Sequence, residues 1–155
     1  MILRRQRERG LTLVELVVAI TILAILAGAA VPLARTTVRR SKERELRRDL
    51  WEMRDAIDRY KDAADRNAFQ IKVGTEGYPP DLETLVKGVQ LGASSDRKIR
   101  FLRKIPVDPM TGRAEWGLRA VQDDPDSTSW GGKNVFDVYS KSTGTALDGT
   151  KYSNW

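Results

Sequence analysis

The sequence predicts an α+β protein in which a long N-terminal α-helix packs on a small head with an antiparallel β-sheet. Three observations predict this fold. Residues 11–34 form an apolar run with a single charge, Glu15; residues 35–67 lack proline and glycine; and nine of the eleven aromatic residues lie in 69–155. A chain of 155 residues is long enough for one modest domain with its own core.

The composition excludes several classes of site. The chain has no cysteine and no histidine, which removes disulfides, thiol nucleophiles, Cys/His zinc sites and a Ser-His-Asp triad. No constellation of acid, base and nucleophile is visible, so we do not expect an enzyme. The 27 basic and 21 acidic residues give a net charge of +6. The arrangement of apolar and charged segments therefore carries the functional information.

The apolar run at residues 11–34 is long enough to cross a membrane. It has 24 residues, of which thirteen are Leu, Ile or Val. On an insertion scale these favour the bilayer by roughly 6 kcal/mol, whereas a central carboxylate costs about 3 kcal/mol and one near the end costs less. The run can therefore span the hydrocarbon core of ~30 Å. A cleaved secretory signal peptide is the alternative, because Ala27-Gly28-Ala29 resembles a small-x-small cleavage site.

Basic residues on both sides of the run give conflicting topology signals. The leader, residues 1–10, has four arginines, whereas residues 35–48 contain seven basic residues. Counted alone, the positive-inside rule would keep the C-terminal part of the chain in the cytoplasm. The junction between the leader and the run favours the opposite orientation.

This junction combines a basic leader that ends in Gly10, an apolar run that starts at Leu11, and an acid at Glu15. Glycine suits a cleavage site because it has no side chain to obstruct a protease cleft. The combination resembles the signal of the type IV prepilins, although that family usually has phenylalanine where this chain has Leu11. An ordinary signal anchor that happens to contain glycine and glutamate is the alternative.

The resemblance implies cleavage between Gly10 and Leu11 by a membrane-embedded prepilin peptidase, followed by N-methylation of Leu11. It also implies that Glu15 meets the terminal amine of a neighbouring subunit in a filament, where an unpaired charge would be costly. The alternative is that Glu15 reaches the membrane interface from near the helix end.

Gly28 and Pro32 predict a kink or a locally melted stretch, because a proline ring crowds the carbonyl four residues earlier. Pro32 lies 21 residues after Leu11, which is the spacing found in pilin-like proteins. An ordinary kinked transmembrane helix would explain the bend but not the spacing.

Residues 35–67 should continue the helix beyond the membrane as an amphipathic segment. Apolar residues at steps of 4-3-4-3-4 form one stripe that should pack under the head: Leu46, Leu50, Met53, Ile57, Tyr60 and Ala64.

Charge along this segment is graded, with seven basic and two acidic residues in 35–48 and six acidic and four basic residues in 49–66. The gradient fits a copy of the same helix shifted along its axis. It equally fits a solvated, salt-bridged surface. Nucleic-acid binding is a third interpretation, which the interspersed acids and the lack of aromatic residues in 35–48 disfavour.

The head, residues 68–155, shows signals for a short helix and two strands. Asp81 should cap a helix that Gly88 ends, with Glu83 favouring its first turn. Residues 89–98 are expected to form a polar loop. The candidate strands are residues 114–121 and 134–140, joined by a loop rich in Asp, Ser and Gly over 122–133.

Four head segments narrow the resemblance to the major pseudopilin of type II secretion systems, the G class. They are Tyr78-Pro79, residues 101–109, residues 136–140 and the terminal Ser153-Asn154-Trp155. The resemblance implies a single-pass inner-membrane protein with a periplasmic head, forming a homopolymer with minor pseudopilins. Its further partners would be an assembly ATPase, an inner-membrane platform protein and an outer-membrane secretin. A type IV pilus subunit and a DNA-uptake pseudopilin are the alternatives.

The resemblance also implies a calcium ion in the head, held by loop aspartates and backbone carbonyls. Calcium takes about six to eight oxygen ligands, with carboxylates to compensate its charge. Residues 140–155 contain one acid, Asp148, and Asp137 just upstream can face away in a strand. We therefore expect little calcium binding, and Asp148-Gly149 can equally be a simple turn. Aromatic packing would then hold the loop down, through Trp116, Trp130, Phe136, Tyr152 and Trp155.

Overall fold

The computed structural model describes residues 12–92 and 97–155, and within residues 29–33 it describes the backbone helix alone. The elements in chain order are α1 (Leu13–Asp65), α2 (Leu82–Lys87), β1 (Val89–Gln90), β2 (Lys98–Ile99), β3 (Trp116–Arg119), β4 (Asp137–Ser140) and a 3-10 turn, η1 (Tyr152–Asn154). This arrangement of one long N-terminal helix and small antiparallel sheets confirms the predicted α+β class.

The chain divides into two compact units, Met1–Arg39 and Arg40–Trp155, and α1 contributes to both. The segment boundaries predicted after residues 10, 34 and 67, which separate the leader, the membrane helix, its amphipathic continuation and the head, stay predictions. Within the described residues, no helix has an apolar stretch long enough to cross a membrane.

Helix α1 has 53 residues. At its start the Thr12 hydroxyl accepts a hydrogen bond from the Glu15 N–H at 3.3 Å, in the manner of an N-cap. The helical backbone continues through Gly28 and Pro32. The kink or melting predicted at these two residues stays a prediction.

The core of the unit Arg40–Trp155 is built on one face of α1. All six residues of the predicted apolar stripe are buried, with exposures between 0% and 5%, so this prediction is confirmed. Three rings, Tyr60, Phe69 and Phe101, pack against one another with centroids 4.9 to 6.3 Å apart. Burial of this stripe is what brings the rest of the head onto the helix.

Helix α2 begins and ends where the sequence predicts. Asp81 Oδ1 accepts a hydrogen bond from the Thr84 N–H at 2.7 Å, and Gly88 ends the helix with a φ of +80°. A Cβ atom added at Gly88 would lie 2.6 Å from the Ile99 carbonyl oxygen. Both the backbone conformation and the close approach of the next strand therefore require glycine here.

The polar loop predicted for residues 89–98 is wrong, because β1 and β2 form an antiparallel pair with Val89 opposite Ile99. Strands of two residues are too short to show an alternating pattern in the sequence. Their pairing follows from a tertiary contact instead. The backbone N–H groups of Phe101 and Leu102 both donate to the Leu85 carbonyl oxygen. These two hydrogen bonds hold the chain after β2 against α2.

Strands β3 and β4 pair antiparallel inside the two predicted ranges, although both are shorter than predicted. Gly117 lies opposite Tyr139, and a Cβ atom added at Gly117 would lie 2.1 Å from the Tyr139 ring. The Arg119 guanidinium lies 4.2 Å from the centroid of the same ring. Glycine in β3 thus makes room for a tyrosine that closes over the strand.

We expect Gly117→Ala to destabilise the head by about 1–3 kcal/mol, because the new methyl group overlaps the Tyr139 ring and one of the two must move. Urea unfolding of a fragment of residues 35–155 measures the change. The matched control is the same substitution in a Tyr139→Ala background, where the ring is absent and the added cost should be much smaller. An equal cost in both backgrounds would contradict the overlap as its cause.

Candidate functional site

Two regions bear on the predicted function, and the first is the start of α1. Gly10 and Leu11, the predicted cleavage and methylation positions, lie outside the described residues. Glu15 lies in the first turn of α1, where an acid interacts favourably with the partial positive charge of the helix N-terminus. A Cβ atom added at Gly28 would meet no atom within 4 Å. The Pro32 side chain lies outside the described ones.

The first part of α1 exposes large apolar side chains all around the helix in a single copy of the chain. Their exposed fractions lie between 51% and 79%, and the residues are Leu13, Val14, Leu16, Val17, Val18, Ile20, Ile22, Leu23, Ile25 and Leu26. The Thr21 hydroxyl donates to the Val17 carbonyl oxygen at 2.7 Å, so this polar group is satisfied within the helix. A helix that is apolar all round is buried in lipid or among other helices.

The second region is the C-terminal segment, residues 141–155, which three charged residues of α1 hold against the helix. The Glu43 carboxylate accepts hydrogen bonds from the Leu147 N–H and from the Tyr152 hydroxyl, both at 2.9 Å. Arg54 Nη2 donates to the Trp155 carbonyl oxygen at 2.9 Å. The Tyr152 ring is buried, so its hydroxyl needs the partner that Glu43 provides.

Asp137 faces arginines and not the C-terminal segment. Its Oδ1 lies 2.7 Å from Arg54 Nε, and its Oδ2 lies 3.2 Å from Arg119 Nη1. Each carboxylate oxygen already has a charged partner. Asp137 is therefore committed to ion pairs with Arg54 and Arg119.

Asp148 caps a turn and pairs with an arginine of α1. Its Oδ1 accepts hydrogen bonds from the Thr150 hydroxyl at 2.6 Å and the Thr150 N–H at 2.9 Å, and its Oδ2 lies 3.3 Å from Arg47 Nη2. The Thr150 hydrogen bonds, assisted by the Arg47 charge, hold the pKa of Asp148 below its usual value. The simple turn that the sequence left open is thus what the structure has at Asp148-Gly149.

Arg47 places a cation beside this segment. Its guanidinium carbon lies 3.8 Å from the centroid of the Trp155 ring. Trp155 packs edge to face on Tyr152 with centroids 5.2 Å apart, and its Nε1 donates to the Thr150 hydroxyl at 2.7 Å. An exposed cation–π contact contributes about 0.5–1 kcal/mol, so the buried Tyr152 carries more of the attachment than Arg47 does.

The residues present do not fit a calcium site. The one acid of residues 140–155 already binds Arg47, whose positive charge would repel a divalent cation. Among the described residues, no group of three or more acids is placed to hold a metal ion. Calcium requires several carboxylate or carbonyl oxygens around one point. The carboxylate of Asp148 in this segment instead caps a turn and forms an ion pair.

The aromatic prediction for this segment is right for Tyr152 and Trp155, which pack against each other and against the core. Trp116 is buried in the core, and its Nε1 donates to the Pro106 carbonyl oxygen at 3.0 Å. The prediction is wrong for Trp130 and Phe136, which are 39% and 47% exposed. Side chains alternate along extended backbone, and Val135 takes the inward position next to Phe136.

Sequence reasoning did not single out Glu43, Arg47 and Arg54 as holders of the C-terminal segment. Each looks like any other surface charge of an amphipathic helix. Their spacing of four and seven residues places them on one line beside the apolar stripe, and this is the signal that could have found them.

Calcium should change the stability of this head little, because Asp148 is already committed to Arg47 and Thr150. Thermal melting of a fragment of residues 35–155 in calcium and in chelator should give the same midpoint. Asp148→Ala is the control: it should lower both midpoints equally, since it removes a turn cap and not a metal ligand. A large rise with calcium would refute this, since a site at a hundred times its dissociation constant adds about 2.7 kcal/mol.

Comparisons with known proteins find one family motif near the N-terminus and one relative that aligns with most of the chain. Residues 5–31 match the prokaryotic N-terminal methylation motif. Over 140 residues the chain is 30% identical to the type II secretion system core protein G of Pseudomonas aeruginosa, and the alignment covers 89% of this chain and 85% of that protein. No solved structure matches the chain. The chain therefore belongs to the type II secretion core protein G family, the major pseudopilins among the type IV pilin-like proteins, and is a structural subunit and not an enzyme.

Proposed function

We propose that the chain is made as a precursor, cut between Gly10 and Leu11 by a prepilin peptidase, methylated on Leu11, and polymerised into a pseudopilus that drives protein export. The observation that carries this proposal is the first part of α1, which lies within the methylation motif and exposes apolar side chains all round. Such a surface needs lipid before assembly and neighbouring helices after it.

Before assembly, the run at residues 11–34 holds the monomer in the inner membrane with the head in the periplasm. This step rests on the sequence, in which thirteen Leu, Ile and Val residues outweigh the single acid. Addition of subunits to the filament requires an assembly ATPase and a platform protein in the inner membrane. Minor pseudopilins complete the filament, which acts on exported proteins at an outer-membrane secretin.

Within the filament, Glu15 pairs with the terminal amine of Leu11 in an adjacent subunit. Among the described residues the Glu15 carboxylate has no ion pair or hydrogen bond of its own. A lone carboxylate in apolar surroundings is costly, and a cation beside it offsets that cost. The pair would therefore form as subunits leave the lipid and would set the position of each new subunit.

The similarity to a secretion protein supports this function over the two alternatives. A pilus subunit would be expected beside a gene for a retraction ATPase, whereas a pseudopilin would be expected beside genes for a secretin and a secretion ATPase. DNA uptake rests on the basic stretch in residues 35–48, where Glu43 and Glu45 are interspersed. A map of the neighbouring genes separates the three systems.

The mature protein should begin at methylated Leu11, because a glycine at position 10 leaves the peptidase cleft unobstructed. Intact-mass analysis of membrane-extracted protein should show loss of residues 1–10 and gain of one methyl group. Gly10→Val is the control and should stay uncut. An uncut wild-type chain in cells with active peptidase would contradict the proposal. A reporter fused after Trp155 that is active only in the cytoplasm would show that the basic residues of 35–48 set the orientation.

Glu15 should be needed for assembly but not for insertion. Its removal makes residues 11–34 more apolar, so Glu15→Gln and Glu15→Ala should both accumulate as processed membrane monomers. Filaments should be scarce or absent, because the Leu11 amine of the adjacent subunit would lack its partner in surroundings where that costs several kcal/mol. Shearing and electron microscopy measure filament yield, and membrane fractionation measures insertion. Normal filaments from Glu15→Ala would mean that the carboxylate only reaches toward the interface.

A further inference from the structure

The first ten residues after the apolar run form a strongly basic part of α1. Residues 35–44 contain five basic residues and one acid, whereas residues 49–66 contain six acidic and four basic residues. We call the five basic residues the basic collar: Arg35, Arg39, Arg40, Lys42 and Arg44. The positive charge of α1 beyond the run is thus concentrated at the end that adjoins the run.

One copy of the chain leaves most of the basic collar without a counter-charge. All five side chains are exposed. The acid among them, Glu43, is committed to the C-terminal segment, where it accepts two hydrogen bonds. Among the described residues, four members of the collar form no ion pair and no side-chain hydrogen bond: Arg35, Arg40, Lys42 and Arg44. The next basic residues, Arg47 and Arg48, are paired with acids of the chain.

The basic collar does not form a single face of α1. An α-helix turns about 100° per residue, so Arg40 and Arg44 lie about 40° apart, whereas Lys42 lies on nearly the opposite side. A protein or a nucleic acid that docks on a helix contacts one face of it. Lipid headgroups surround a helix that leaves a bilayer and contact every face. The spread of the charges therefore favours a lipid surface as the partner.

The position of the basic collar in the sequence fits the headgroup layer. The collar begins at Arg35, directly after the run at residues 11–34, and a helix that leaves the hydrocarbon core next passes through the headgroups. Lysine and arginine keep their methylene stems along apolar surface while their charges reach polar groups. A guanidinium donates two parallel hydrogen bonds to a phosphate. Arginines at this level thus match phosphodiester headgroups in charge and in hydrogen bonding.

We propose that the basic collar binds the headgroups of anionic phospholipids in the leaflet next to the head and so fixes the depth of the monomer in the membrane. The proposal rests on the membrane insertion proposed above. It explains why so many basic residues follow the run although the head lies in the periplasm: they bind lipid there and do not mark a cytoplasmic segment. The binding is electrostatic, so salt weakens it.

Reconstitution of the full-length chain in phosphatidylcholine vesicles tests the binding. The vesicles carry a trace of spin-labelled phosphatidylglycerol or, for reference, of spin-labelled phosphatidylcholine. Electron spin resonance measures how much of each label is immobilised at the protein. The wild-type chain should prefer phosphatidylglycerol about fivefold, the factor that one basic residue near an anionic surface contributes. The preference should decrease as salt rises from about 0.01 M to 1 M.

Removal of four collar charges should lower this preference at least about twofold. The collar variant combines Arg35→Gln, Arg40→Gln, Lys42→Gln and Arg44→Gln, and it keeps Arg39 because that residue already interacts within the chain. The matched control removes four charges from exposed positions of the head and should keep the wild-type preference. It combines Lys98→Gln, Arg100→Gln, Arg103→Gln and Lys104→Gln. The leader is present in all three chains, so its arginines do not affect the comparison.

An unchanged preference in the collar variant, or an equal loss in the head control, would overturn the proposal, because the collar would then not be what selects the lipid. DNA is the other anionic partner to test. A duplex oligonucleotide that binds the wild-type chain but not the collar variant, in the absence of any lipid preference, would assign the collar to nucleic acid and overturn lipid binding.

Alkaline extraction of the same vesicles separates these results from a failure of the proposed function. A wild-type chain that alkali releases is not inserted in the membrane, and the proposed insertion then fails together with the lipid contact. A chain that stays in the membrane without preferring phosphatidylglycerol overturns the lipid contact alone.

Discussion

Burial of one apolar stripe of α1 is the interaction on which the rest of the head depends. Leu46, Leu50, Met53 and Ile57 are at most 2% exposed, and full burial of such a side chain contributes about 1.5–3 kcal/mol. The other elements are a six-residue helix and strands of two to four residues, which are too short to persist alone. They hold together because each rests on the helix or on a neighbour that does.

Because the helix is also the core of the head, residues beside its buried stripe can attach other parts of the head. The line that contains Glu43 and Arg54 holds the C-terminal segment. A change in the rotation of α1 under the head would move this line away from that segment. This explains why the buried stripe has to define the helix orientation closely.

The C-terminal segment is attached to α1 by side-chain contacts of the chain itself. In place of several acids around an ion, it has one acid paired with Arg47, a buried tyrosine and a tryptophan beneath a guanidinium. Exposed ion pairs contribute little by themselves, so the order comes chiefly from Tyr152 burial and from the hydrogen bonds to Glu43.

The sequence by itself determined the linear features of this protein: the methylation motif over residues 5–31, the apolar stripe, the Asp81 cap and the approximate places of β3 and β4. Each of these features depends on neighbouring residues or on a short repeat of apolar positions in the sequence, so it can be recognised without the folded structure. Only the tertiary structure decided the β1–β2 pairing and the attachment of the C-terminal segment. Glu43 and Tyr152 are 109 positions apart, and Arg54 and Trp155 are 101 apart. No local pattern specifies such partners, because their contact depends on how the whole head closes on α1.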